Sequence, residues 1–359
     1  MAVRTGRMRV HFDWKGHCPR LLCLALALLL SLAWLSDPVH AASSRERKAV
    51  SGESKSSKGI QSSSGKAAAK QGRKKRAAKA VPPQDQNELH LNVNAAFLMN
   101  LNNGKVYYDH DADERIPPAS ITKVLTLFLV REAMAQGRLK PDTPIPVSPL
   151  AIRTGGSTMS LYKGEKVPLS EIIKGISVVS ANNACVAVAE YMGKGDSRRF
   201  VAQMNAKAKS LGMARSTFKN PNGLPATGQY STARDIAKLS AAYLKRFPES
   251  LSVHSMTTHT YHGATHRNAN SLLNRYEGVD GLKTGFVCAS GYNITATAKR
   301  GNTRLVAVVL GARNPIVREV ETARLLEYGF KRAAEEAPAP TRQKKKSPAK
   351  THARAEAAR

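Results

Sequence analysis

A serine and a lysine three residues apart open one strongly apolar run: Pro117-Pro118-Ala119-Ser120-Ile121-Thr122-Lys123, then Val124 through Val130. The two prolines predict an extended approach, with Ser120 where a helix begins. Val124, Leu127 and Phe128 recur at helical spacing. Residues i and i+3 share a helix face, so this spacing sets the Lys123 amine beside the Ser120 hydroxyl. Burial lowers a lysine pKa, and a neutral amine is the general base that a nucleophilic serine requires. The alternative for Ser120 alone is structural, a hydroxyl capping the first turn of a helix.

Two more triplets follow in order, Ser180-Ala181-Asn182 and Lys283-Thr284-Gly285, about 60 and then about 100 residues further on. Each is weak by itself, and the elements that must carry them give them meaning. Ile172, Ile173, Ile176 and Val179 predict a helix capped by Ser170, and a second helix is expected from Ala184 to Met192. Ser180 to Asn183 is therefore a polar turn between two apolar helices, and its side chains need partners. Thr154-Gly155-Gly156-Ser157 reads as a surface loop, and Gly285 leaves room for the close approach of a ligand backbone.

Residues 95–101 and 106–108 predict a hairpin across Asn103-Gly104, and residues 292–298 and 305–310 another across Gly301-Asn302. Helices are expected from Ser120 to about Gly137, from Arg199 to Leu211, from Thr232 to near Lys245, and from Pro315 to about Lys331. Strands at both ends with helices between them predict an α/β (α+β) domain whose antiparallel sheet is built from both ends of the segment.

The 359 residues carry a net charge of +30 with 42% hydrophobic content. The ends hold much of that charge. Basic residues 4–20 precede the apolar run Leu21 to Leu35, and Val39-His40-Ala41 offers a small-x-small cleavage site, so residues 1–41 read as a secretory signal peptide cleaved after Ala41. Residues 42–87 form a low-complexity linker. Within it, residues 43–83 hold twelve lysines and arginines against Glu46 and Glu53. The folded domain is expected over 88–332, and 333–359 read as a basic disordered tail. A periplasmic or other extracytoplasmic location follows. Export argues against nucleic acid as the partner of the basic arms and leaves anionic cell wall or membrane, or a plain spacer role. Cys18 and Cys23 fall in the signal peptide. Cys185 and Cys288 follow the second and third triplets, near the expected cleft, and an inert buried thiol is the commoner state than a disulfide.

The ordered set Ser-x-x-Lys, Ser-x-Asn and Lys-Thr-Gly resembles that of penicillin-binding proteins and class A β-lactamases. Further stretches, Asn220-Pro221-Asn222-Gly223-Leu224, Gln229 to Asp235 and Val279 to Gly285, resemble the low-molecular-mass penicillin-binding proteins, the serine-type D-alanyl-D-alanine carboxypeptidases, over roughly residues 88–332. That resemblance implies a β-lactamase/DD-peptidase-like fold with a helical subdomain and no cofactor or metal. The substrate is then a peptidoglycan stem peptide, and β-lactams are covalent inhibitors. It implies catalytic roles for Ser120, Lys123, Ser180 and Asn182, and substrate binding by Lys283, Thr284, Gly285 and Phe286, with an oxyanion hole from the backbone N–H groups of Ser120 and Phe286. Phe286 stands where members of the family often have histidine, which bears on substrate preference. The chain is expected to lack the β-rich domain and C-terminal anchor of some members. A β-lactamase would also need a glutamate for deacylation, and none occurs between Tyr191 and Pro248. An endopeptidase acting on cross-links and a catalytically dead wall-binding protein remain as rivals.

Overall fold

The computed structural model describes residues 89–336; the expected signal peptide, the linker and the tail beyond Glu336 lie outside the described residues. The first hairpin is β1 (Ala95–Asn100) and β2 (Val106–His110). A 3₁₀ turn, Ala119–Thr122, leads into α1 (Lys123–Ala135). Short elements follow: β3 (Pro144–Pro146), α2 (Pro149–Arg153), β4 (Lys166–Pro168) and α3 (Leu169–Lys174), which runs on as a π-helical turn, Gly175–Val179. Then come α4 (Asn182–Met192), α5 (Ser197–Ser210), α6 (Ala233–Arg246), α7 (Leu251–His254) and a hairpin of β5 (Thr258–Tyr261) and β6 (Ala264–Arg267). The segment closes with β7 (Val279–Val287), β8 (Gly291–Arg300), β9 (Thr303–Ala312) and α8 (Pro315–Glu335).

The main sheet has the order β2-β1-β9-β8-β7, with every neighbouring pair antiparallel. The expected pairing of both ends is therefore present: β1 lies directly against β9, with Ala96 opposite Val309. Side-chain alternation divides two cores. Leu305, Ala307 and Val309 pack with Leu325, Leu326 and Phe330 of α8, while Val306, Val308 and Leu310 face the helical core that contains α1 and α6. Strand β7 forms one edge of the sheet.

Helix α1 differs from the expected single apolar stripe. Lys123 through Val130 are all buried, because α1 is enclosed by helices and sheet, so one amine sits in an otherwise apolar or hydroxylic segment. Caps explain other helix starts. Thr232 accepts from the Asp235 N–H, and Asn314 accepts from Val317 N–H with Pro315 in the first turn.

Several expected boundaries shift. Ser170 is not a cap, since α3 begins one residue earlier, directly after Pro168. Asn182 and Asn183 belong to the first turn of α4 rather than to the connection before it. Helix α8 continues to Glu335, three residues into the expected tail, and Glu336 beyond it pairs with Lys105 at 2.6 Å. The approach to Ser120 is not extended. Pro118 takes helical angles (φ −72°, ψ −13°) and Ala119 is left-handed at φ +50°, because proline fixes φ but leaves ψ to the tertiary contacts.

One of those contacts is Gly223. It has φ +83°, and a Cβ there would lie 1.8 Å from the Ala119 carbonyl oxygen. Gly223→Ala is expected to destabilise the fold by about 2 kcal/mol or more through φ strain and overlap, seen as a lower thermal midpoint. An unchanged midpoint would mean that the Ala119 turn moves freely.

Candidate active site

The site is assembled on Lys123. Its Nζ lies 2.8 Å from Ser120 Oγ, 2.7 Å from Asn182 Oδ1 and 2.6 Å from the Asn222 carbonyl oxygen. The side chain has no exposed surface, and burial lowers its pKa to about 8. Relative to the ordinary value of 10.5, the charged form is disfavoured by about 3 kcal/mol. Two of the three partners can only accept. In the neutral amine, two N–H groups therefore go to Asn182 and Asn222, and the lone pair is left for the Ser120 O–H. This geometry orients a base toward one hydroxyl.

Both flanking partners are themselves fixed. Asn182 Nδ2 donates to Gly155 O at 2.7 Å and its backbone N–H donates to Ser157 O at 2.7 Å, so the side-chain amide has one orientation. The loop at 154–157 is exposed as expected, yet its carbonyls hold Asn182. Asn222 lies in a loop closed on itself, where Gly223 N–H donates to Asn220 Oδ1 and Leu224 N–H to Asn222 Oδ1. Thr126 Oγ1 ties that loop to α1 by donating to Pro221 O at 2.6 Å. Asn222 was not among the sequence candidates, because a backbone carbonyl leaves no residue-type signal.

Ser120 does not cap a helix; no side-chain cap bond forms at the 3₁₀ turn. Ser180 follows the π-helical turn in the left-handed region (φ 63°, ψ 31°), a conformation that costs an ordinary L-residue about 1–2 kcal/mol. Its backbone N–H is held by Gly175 O, and among the described residues no hydrogen bond engages its hydroxyl. Strain of this kind concentrates at functional sites.

Strand β7 contributes the second amine. Lys283 is buried and donates to Thr284 O at 2.9 Å. Burial first, and then the charges of Lys123 and Arg318, push its pKa well below the usual lysine range. Gly285 was expected to admit a ligand. At that position the chain's own backbone also comes close: a Cβ there would stand 3.0 Å from Ser120 N and 3.1 Å from Pro118 O. Phe286, next along the edge strand, is 42% exposed with its ring 4.3 Å from that of Tyr292. Cys185 is buried near both lysines; burial raises its thiol to about 11 although the two ammonium groups pull it down, which makes it an inert thiol. Cys288 is exposed.

The model of the D-alanyl-D-alanine carboxypeptidase family Peptidase_S11 matches residues 80–314. D-alanyl-D-alanine carboxypeptidase DacF of Bacillus subtilis is 39% identical over 249 residues, which cover 68% of this chain and 63% of the relative. DacC of Escherichia coli is 37% identical over 248 residues, 67% of this chain and 62% of the relative. The chain thus spans just under two thirds of the length of these curated relatives. Penicillin-binding protein 5 of Haemophilus influenzae superposes with TM-score 0.65 at 33% identity, over 70% of this chain and 73% of the other. Penicillin-binding protein D2 of Listeria monocytogenes, solved in its ampicillin-bound form, gives 0.62 at 33% identity, over 67% and 99%.

Burial gives a direct prediction for the amine. A ¹⁵N NMR titration of Lys123 is expected to show a midpoint near 8, with the ammonium below that pH and the neutral amine above it. A midpoint at the ordinary lysine value would mean that water reaches the amine and that no built-in base exists.

Proposed function

The chain belongs to the D-alanyl-D-alanine carboxypeptidase family, and from that premise we propose that it is a serine-type carboxypeptidase that removes the terminal D-alanine of peptidoglycan stem peptides. The observation that carries this reading is the buried Lys123 amine, 2.8 Å from Ser120 Oγ and oriented by Asn182 and Asn222.

Ser120 Oγ attacks the carbonyl carbon of the penultimate D-alanine while its proton passes to neutral Lys123. The oxyanion accepts hydrogen bonds from the backbone N–H groups of Ser120 and Phe286, an arrangement supported by the contact of Gly285 with the Ser120 backbone. One such donor contributes about 3–4 kcal/mol. The C–N bond then breaks, and the departing amine takes a proton relayed by Ser180, whose hydroxyl no other group engages among the described residues. Water hydrolyses the ester and Lys123 returns to its neutral state.

Lys283 and Thr284 bind the terminal carboxylate. An anion beside Lys283 favours its charged form against the burial that disfavours it. That charge in turn favours the neutral form of Lys123, so substrate binding and base readiness reinforce each other. A β-lactam would acylate the same serine. With no glutamate between Tyr191 and Pro248 to activate a deacylating water, the adduct is long-lived and the drug inhibits. The same groups would serve an endopeptidase; the names of the curated relatives favour the carboxypeptidase.

The proposal includes residues 1–41 as an export signal cleaved after Ala41, action in the periplasm or another extracytoplasmic space, a catalytic domain over 88–332, and contact of the basic arms on either side with anionic wall or membrane.

Ser120→Ala is expected to abolish covalent labelling by a fluorescent penicillin while the far-ultraviolet circular dichroism stays unchanged; a labelled variant would move the nucleophile elsewhere. Lys283→Ala is expected to reduce kcat/KM on a peptide with a free terminal carboxylate by about tenfold or more, and on the matching peptide amide by much less. Equal losses would remove Lys283 from carboxylate recognition.

A further inference from the structure

A second cluster of chemistry-bearing residues stands apart from the catalytic groups. Tyr162, in the loop before β4, is 60% exposed, yet its ring is fixed against the ring of His262, 5.0 Å away at the tip of the β5–β6 hairpin. His262 Nε2 lies 2.7 Å from Glu165 Oε1, and the Tyr261 hydroxyl donates to the same oxygen at 2.6 Å. Glu165 Oε2 accepts from the Tyr162 N–H at 3.0 Å and retains acceptor capacity. His262 and Gly263 form a two-residue turn with φ of +47° and +73°; histidine at the first of these positions pays a conformational penalty of about 1 kcal/mol that asparagine or glycine would largely avoid.

Tying a loop to a hairpin accounts for Glu165, Tyr261 and His262. It does not account for Tyr162, whose ring gains little burial from being held. A rigid aromatic face in water beside a carboxylate with spare lone pairs has the chemistry of a saccharide site. The ring covers the apolar C–H face of a pyranose, and the carboxylate accepts from its hydroxyl or amide groups.

Position supports one occupant. Glu165 immediately precedes β4, from whose end α3 and its π-helical turn run to Ser180. The hairpin also packs directly on the π-helical turn that leads to Ser180. We propose that Tyr162, Glu165 and His262 form a subsite for the N-acetylated amino-sugar strand to which the substrate peptide is attached, on the hairpin that borders the π-helical turn leading to Ser180. This inference rests on the peptidase reading for the identity of the strand, but its binding readout does not.

The test uses the full chain, Tyr162→Ala and Tyr162→Trp. Peptide-free tetra-N-acetylchitotetraose is expected to shift the NMR signals of the Tyr162 ring, and the Ala variant is expected to lose this binding. On a short peptide ending in D-Ala-D-Ala, both variants should keep kcat/KM within about twofold. On uncross-linked peptidoglycan strands, Tyr162→Ala should lose about five- to tenfold, and Tyr162→Trp should restore most of it. Oligosaccharide binding unaffected by Tyr162→Ala, equal losses on peptide and strand, or no loss on strands would each overturn the subsite. A wild-type chain inactive on the short peptide would instead overturn the peptidase reading, leaving the oligosaccharide measurement to decide the subsite by itself.

Discussion

The burial of a single amine governs the rest of this structure. Lys123 sits without solvent contact in the first turn of a helix whose next seven residues are also buried. A buried lysine without partners would be expelled or would disrupt the core. Here three oxygens surround it, drawn from the 3₁₀ turn before α1, from α4 and from the loop at 220–224. Each of those segments has its own fastening, through Gly285, Gly155 and Thr126 respectively. The cleft is therefore the set of supports needed to keep one amine dry, oriented and close to neutral.

Local conformations are subordinated to that requirement. Ala119 and Ser180 are both left-handed although neither is glycine, and a π-helical turn ends where Ser180 begins. Strained backbone beside a reactive group persists when packing on all sides fixes it. The helices, the sheet and α8 supply the stabilisation from which such local penalties are drawn.

The same division explains what was legible in the amino-acid sequence. Periodicity revealed the strands, most helices and the joining of both ends in one sheet, because each buries a face that repeats along the chain. The Ser120–Lys123 pair was legible because helical spacing nearly survives in the 3₁₀ turn. The turn at Ala119, the left-handed Ser180 and the Asn222 carbonyl were not, since tertiary contacts impose them on residues with no matching propensity. The β5–β6 hairpin escaped as well: its turn is His262-Gly263, not a common hairpin pair, and its strands alternate threonine with histidine and tyrosine. Gly285 was recognised as a point of close approach, but that the chain's own 3₁₀ turn comes close there is set by the fold and not by residue type.

Sheet order carries a kinetic consequence. Because β1 pairs with β9, and Lys283 feels the charge of Lys123 only when β7 lies along the 3₁₀ turn, contacts separated by more than 150 residues must form before this arrangement exists. Long-range pairings of this kind close late and slowly. A chain emerging from its N-terminal end would carry the serine and its lysine well before the edge strand that completes the cluster, which arrives only with the last third of the described residues. The juxtaposition of Ser120, Lys123 and Lys283 is thus a property of the finished fold alone.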